Sequence, residues 1–444
     1  MWTIQEVTLS SLERIAVRCG TLEIQWPALV LAVDGLKHGG YKWGRYKEAM
    51  DLQKQLVTYL ICRRIPGARA ILDDNAGRMH NDPLMFNIMT NSRKKAATDP
   101  KDKVFALYGL FRELDIAFPE PDYDKTTEEV FKDAAVASIE YDRNLWTLYN
   151  APSDRRRASL ASWVPDWGEP GFGRGDQRHA VLNNRFAASG PNHPVWKFSE
   201  DGRCLILRGK VLDTVIYKLD PLPAVPPMFH PGNSKPVEEQ ARNQYYQYMK
   251  ITLGILRSWT DVSKWADYPT GESSRAALQR TLVNDDPDNN TVADTDNAFD
   301  DWYNNMSLSE DELDARARQI AIQEPYSEAS RVRASGSGLD AVANVPLGAL
   351  CFLSNRYHHL VTVWCAAKCL FFTGKHYFGT APDPLPVSMQ AGDIIAVVSG
   401  LEMPLLLRPL DRGYRLISHV YVHGMMYGKL WPDDPDDLED IVLL

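Results

Sequence analysis

Apolar and polar positions recur at helical spacing through much of the first third of the chain. An apolar run including Ala28, Leu29, Val30 and Leu31 starts at Pro27, and residues 46–62 carry apolar positions at helical intervals. A stronger helix follows: Thr126 and Glu129 form a capping box, and Val130, Phe131, Ala134, Ala135 and Ile139 share one face, so its role is core packing. Between these, residues 98–110 read as one complete helix. Asp99 supplies an N-cap acceptor, Pro100 stands where a missing amide hydrogen costs nothing, and Asp102 adds negative charge to the first turn. Val104, Phe105, Leu107 and Tyr108 give it an apolar face, Lys101 and Lys103 face solvent, and Gly109 ends it.

The pattern then changes twice. Residues 151–200 are rich in Arg, Gly, Pro and Trp with little periodicity, which reads as a linker, with Gly171 to Gly175 a flexible turn. Aliphatic alternation around Gly209 over 204–216 suggests a strand with a bend, or a hairpin. Residues 237–259 read as a helix carrying Tyr245, Tyr246, Tyr248, Ile251 and Ile255, and 308–323 as another, capped by Ser309 with Glu310, Asp311 and Glu312 in its first turn. The acidic stretch between them, about 284–305, reads as a disordered loop. From 350 onward short strands are expected at 360–364, 370–373, 394–398, 404–408 and 415–421, forming a small antiparallel sheet or barrel. The fold class is therefore α+β: a helical module at 1–150, a linker at 151–200, a strand pair plus helices at 201–345, a β-rich module at 346–430 and an acidic tail at 431–444.

Several segments, in order, resemble the fungal heterokaryon incompatibility (HET) domain. Asp99-Pro100-Lys101-Asp102-Lys103-Val104-Phe105-Ala106-Leu107-Tyr108-Gly109-Leu110 is similar to its D-P-R-D-K-V-[YF]-A-L-x-G-L motif, and Pro121-Asp122-Tyr123-Asp124-Lys125 to its P-D-Y-S-K. Leu160 to Trp167, with Trp163, Pro165, Asp166 and Trp167, resembles L-P-S-W-V-P-D-W. Tyr268-Pro269-Thr270-Gly271-Glu272 with Arg280-Thr281-Leu282 resembles Y-x-T-G-E…R-T-L, and Gly392 to Arg408 with Tyr421-Val422-His423-Gly424-Met425-Met426 resembles the usual C-terminal extension. Tyr427 and Lys429 depart from it, standing where the resemblance has acidic residues. Trp2, Gln5 and Glu6 match a W-x-x-Q-E element that family members carry after a longer N-terminal half, so the resemblance implies a domain truncated at its N-terminal side. That half holds the motifs by which HET domains have been compared with NAD-cleaving TIR domains. The resemblance implies a part in vegetative incompatibility, the self/non-self response that ends in programmed cell death.

Composition narrows the setting. An apolar fraction of 44% and 12 Trp residues indicate a folded protein, and 444 residues suffice for two or three packed modules. Six scattered cysteines, Cys19, Cys62, Cys204, Cys351, Cys365 and Cys369, read as thiols. No signal peptide and no spanning helix is expected, so the reading is cytoplasmic, with no membrane partner. The net charge of -9 conceals a split: eleven carboxylates and no Lys or Arg lie in 281–315, and six more carboxylates lie in 433–440. Outside these segments Lys and Arg outnumber Asp and Glu. The clusters Arg93-Lys94-Lys95 and Arg155-Arg156-Arg157 lack interleaved aromatic residues, so they read as exposed loop faces and no nucleic-acid partner is expected.

Candidate chemistry is sparse. His358, His359, Cys365, Cys369 and His376 form the best metal-like grouping, but their spacing favours buried thiols over a zinc site, and no metal is expected. Asp286 to Asn290 opens like a calcium loop, yet Thr291 stands where Gly is required. No nucleophile elbow, phosphate loop or H-E-x-x-H motif occurs. Glu6 beside Trp2 and Gln5 could sit in a pocket that shifts its pKa, or at the surface of an amphipathic helix, and the second is favoured. Asp99, Asp102 and Lys103 are read as capping plus a local ion pair. Trp163, Asp166 and Trp167 are read as pinning the linker to the helical module, the alternative being a platform for polar rings and cations. The expectation is thus a family-motif set that is structural, with no catalytic residue, no cofactor, no enzymatic activity, and a protein partner or self-association. Two alternatives stay open: a fragment of a TIR-like NAD-cleaving effector, and a scaffold whose acidic loop docks a basic partner.

Overall fold

In a computed structural model the structure describes residues 9–10, 14–26, 28, 84–93, 95–152, 156–169, 186–223, 235–264, 267–285, 295–323, 356–383 and 388–444. The expected helices at 27–33 and 46–62 therefore lie outside the described residues, apart from Ala28. The chain forms two compact units, Met1–Gly173 and Arg174–Leu444.

Unit 1 opens with a hairpin of β1 (Ala16–Cys19) and β2 (Leu22–Gln25), in which Gly20 supplies the positive φ that the tight turn needs. Its core is helical. α1 (Leu84–Ser92) buries Met85, Phe86, Ile88 and Met89, and α4 (Thr127–Asp142) buries Val130, Phe131, Ala134, Ala135 and Ile139. The capping box at Thr126 is formed in both directions, Thr126 Oγ1 accepting from the Glu129 amide at 3.2 Å and Glu129 Oε2 from the Thr126 amide at 2.8 Å.

The helix expected over 98–110 is instead two short ones, α2 (Asp102–Phe105) and α3 (Tyr108–Glu113). The Leu107 amide bonds back three residues to Val104 at 2.9 Å, a tightening that stops α2, and Gly109 lies inside α3 rather than ending a helix. The residues expected as linker are divided. Leu160, Trp163, Val164 and Trp167 are buried in unit 1, whereas 196–198 already form a strand of unit 2.

Unit 2 is built on β4 (Leu205–Lys218), a single long strand rather than a hairpin. Glycine at 209 lets it pass close to the Val397 carbonyl, which a side chain there would strike, and its register shifts twice, after Val211 and after Val215. The other strands are β3 (Trp196–Phe198), β5 (Lys368–Thr373), β6 (Phe378–Pro382), β7 (Ile394–Val398), β8 (Leu405–Leu410), β9 (Gly413–His419), β10 (Tyr421–Val422) and β11 (Glu439–Leu443). β4 pairs with β11 through Leu205 to Gly209 and with β7 through Gly209 to Thr214. Since β7 pairs with β8, β8 with β9, and β9 with β11, the ring closes into a five-stranded barrel. The far end of β4 continues into β5, β6 and β10, and β3 lies beside its start.

Helices fill the connection between β4 and β5: α5 (Lys235–Thr260), α6 (Ser274–Leu282), α7 (Thr295–Met306), α8 (Glu310–Gln323) and α9 (Arg356–Trp364). Three expectations are corrected here. The acidic stretch contains α7, because Phe299, Trp302 and Met306 recur on one face and are buried among its carboxylates. Residues 360–364 belong to α9, where Tyr357, Leu360, Val361 and Trp364 are buried at helical spacing. The acidic tail ends in β11, whose Ile441 and Leu443 are buried, while Asp440 pairs with Lys197 at 3.0 Å and Arg208 at 3.4 Å.

Candidate functional site

In unit 1 the motif residues meet around two buried cations. Lys103 donates to the carbonyls of Arg93, at 2.8 Å, and Lys95, so it closes the end of α1 instead of facing solvent or pairing with Asp99 or Asp102. Burial first, and then the neighbouring Arg93 charge, hold the Lys103 ammonium below its ordinary pKa. Arg93 donates to the backbone carbonyls of Glu169 (2.9 Å), Asn150 (3.1 Å) and Asp166 (2.8 Å), and its guanidinium lies 5.6 Å from the Trp167 ring centre. The fully buried Asp166 carboxylate accepts from the Arg157 amide and guanidinium, and Arg156 donates to the carbonyls of Ala161 and Val164. Arg93, Arg156 and Arg157, expected on exposed loop faces, are thus tied to backbone and to Asp166.

The remaining motif residues sit nearby in sequence and do modest work. Asp99 accepts from the Lys101 amide at 2.9 Å, and Asp122 from the Asp124 amide at 2.9 Å. Asp102 accepts the Tyr123 hydroxyl proton at 2.6 Å, which pushes Tyr123 up to about 12. Lys101 lies 5.5 Å from the centre of the same ring and donates to the Tyr123 carbonyl at 2.7 Å. Pro165 is buried between Trp163 and Trp167, whose indole donates to the Phe131 carbonyl at 3.4 Å. Trp2, Gln5 and Glu6 lie outside the described residues, as do Asp286 to Asn290 and Gly171 to Gly175.

Unit 2 holds a denser constellation. The loop from Tyr268 to Ser273 turns tightly at Gly271, φ 87°, and Ser273 caps α6 by accepting from the Ala276 amide at 3.2 Å. Tyr268, buried, donates to the His423 carbonyl at 2.9 Å and accepts from the Phe378 amide at 3.2 Å. His423 Nε2 donates to Glu272 Oε1 at 2.7 Å, leaving Nδ1 to accept from the Tyr421 hydroxyl at 3.3 Å. Thr270 Oγ1 donates to Glu272 at 2.6 Å, and Arg280 lies 3.7 Å from its other oxygen. Burial would raise the Glu272 carboxyl, but the Thr270 and His423 hydrogen bonds outweigh it and hold the group below the usual range. A side chain at Gly424 would strike Thr270, so glycine lets the loop approach.

Both segments were visible in the sequence as motifs, but nothing in either marks Glu272 and His423 as partners across 151 residues. Of the metal-like grouping, His358 accepts from the Trp302 indole at 3.3 Å and Cys365 donates to the Leu282 carbonyl at 3.2 Å. Burial pushes Cys365 and Cys369 up to about 12, and among the described residues no three His, Cys, Asp or Glu converge as metal ligands. No described helix is long and apolar enough to cross a membrane.

A five-stranded barrel closed by its last strand, with a helical insertion clasped to it through Tyr268, Glu272 and His423, defines the class of protein. The family profile that matches is the Het-6 beta-barrel domain, over residues 205–443, which begins with β4 and ends with β11. The chain belongs to that family and is a protein of the heterokaryon incompatibility (HET) type. No curated protein and no solved structure matches it.

Proposed function

We propose that this chain acts in fungal vegetative incompatibility, in the self/non-self recognition that leads to programmed cell death, as a non-catalytic interaction or regulatory module in the cytoplasm. Its partner is another protein or a second copy of itself. One observation supports the non-catalytic part. The grouping closest to a catalytic array, Glu272, His423 and Tyr421, is engaged internally: the Tyr421 hydroxyl is fully buried, and both imidazole nitrogens already have partners within the fold. A general base or nucleophile needs a face open to substrate; Tyr421 and His423 are buried, and Glu272, partly exposed, spends its oxygens on His423, Thr270 and Arg280, so the three join a loop to the barrel.

The test has two arms. Expression in a fungal host is expected to arrest growth, and unchanged growth removes the incompatibility role. The purified chain incubated with NAD is expected to leave it intact; consumption of NAD overturns the non-catalytic reading.

A further inference from the structure

α6 ends in a cap of the Schellman type. The Asp285 amide donates to the Arg280 carbonyl at 2.7 Å and the Asn284 amide to the Thr281 carbonyl at 3.2 Å. Such a cap asks for one left-handed residue, and Asn284, φ 52°, supplies it with a side chain that tolerates the conformation. Asp285 then repeats the left-handed conformation, also at φ 52°, where the cap requires nothing of the kind. Asn and Asp tolerate that region better than other non-glycine residues, yet two in succession still carry strain and stay there only when their surroundings hold them. Asn284 is held from inside, buried and accepting from Thr380 Oγ1 at 3.5 Å. Asp285 is held from outside: its Oδ2 accepts from the hydroxyl of Tyr427 at 2.8 Å, and Tyr427 is 46% exposed.

We propose that the Tyr427–Asp285 hydrogen bond is a catch that keeps a strained turn shut. With the catch made, the chain leaves α6 along the left-handed path. With it broken, Asp285 relaxes to an ordinary conformation and the C-terminal cap of α6 is released from Tyr427. The device lies at the surface, so a partner or a modification at Tyr427 could operate it without disturbing the barrel. It is independent of whether the chain catalyses a reaction.

Hydrogen exchange on the full chain, corrected for intrinsic rates, tests this. Tyr427→Phe is expected to speed exchange of the Asn284 and Asp285 amides by about fivefold to tenfold, the effect of losing one hydrogen bond, with β7 unchanged. Asp285→Ala loses the acceptor and keeps the strain, so it opens at least as far. Asp285→Gly loses the acceptor but also the strain, and stays near the protection of the unaltered chain. Asp285→Asn keeps an acceptor and tolerates the left-handed turn, so it stays closed. Unchanged exchange in Tyr427→Phe, or Asp285→Gly opening as far as Asp285→Ala, overturns the proposal. Should Tyr427→Phe loosen β7 as well, the three Asp285 variants decide: Asn as open as Ala also overturns it.

Discussion

Lys103 shows how a residue that looks solvent-facing on a helical wheel becomes a tether. Its ammonium satisfies the carbonyls of Arg93 and Lys95 beyond the end of α1. Replacing it by Met keeps the stem and leaves those carbonyls unmet, so Lys103→Met is expected to lower the stability of unit 1 by about 1–3 kcal/mol in urea unfolding. Asp142 works at the other end of the same helix, accepting from the Met85 amide at 3.0 Å and the Phe86 amide at 2.7 Å. Burial outweighs these bonds and pushes its carboxyl up to about 6 from an ordinary 3.8. A raised carboxyl binds its proton more tightly in the folded state, so its contribution is complete below about 3.8 and is lost as pH rises through about 6. Stability measured from pH 7 down to 4 is expected to rise relative to Asp142→Asn, and parallel curves would refute this. In unit 2, His423→Phe keeps a ring but loses the bonds to Glu272 and Tyr421, with an expected loss of about 2–3 kcal/mol in thermal unfolding, whereas Glu272→Gln retains an acceptor and costs less.

At the scale of elements, β11 carries the clearest prediction. Ile441 is fully buried on the strand that closes the barrel, so Ile441→Asp places an unpaired charge in the core and is expected to abolish the near-ultraviolet circular dichroism of unit 2. Asp440→Ala, removing a half-exposed ion pair, is expected to change stability by less than about 1 kcal/mol. What the sequence disclosed follows from period. α4, α5 and α8 were legible because apolar residues recur at helical spacing, in α4 and α8 behind recognisable caps, and β5, β7 and β8 because short apolar runs lie between turn residues. α7 was hidden because its buried Phe299, Trp302 and Met306 are interspersed with Asp and Asn in a stretch that carries eleven carboxylates from 281 to 315. α9 was hidden because Val361, Thr362 and Val363 give its sequence a β-branched look, although Tyr357, Leu360, Val361 and Trp364 are buried at helical spacing. The acidic tail misled in the same way, since its composition says solvent while Ile441 and Leu443 alternate inward. The clasp was half legible: local patterning shows Y-x-T-G-E and Y-V-H-G, but pairing between distant segments is a property of the folded chain alone.

For the whole molecule, the family profile and the barrel share their limits, Leu205 and Leu443, and the closing contacts join the two ends of that span. The Val211 amide meets the Glu439 carboxylate across 228 residues. A ribosome delivers these partners in order, so β4 leaves the tunnel long before β11 exists to cover it. During that interval the strand presents an open edge and an apolar face, the state in which β proteins pair with the wrong chain. The helical insertion lengthens the wait, and pairing between segments so far apart in sequence is the kind of contact that forms late in folding. Yield in the cell is therefore set by how well that unfinished edge is shielded until the last residues of the domain arrive.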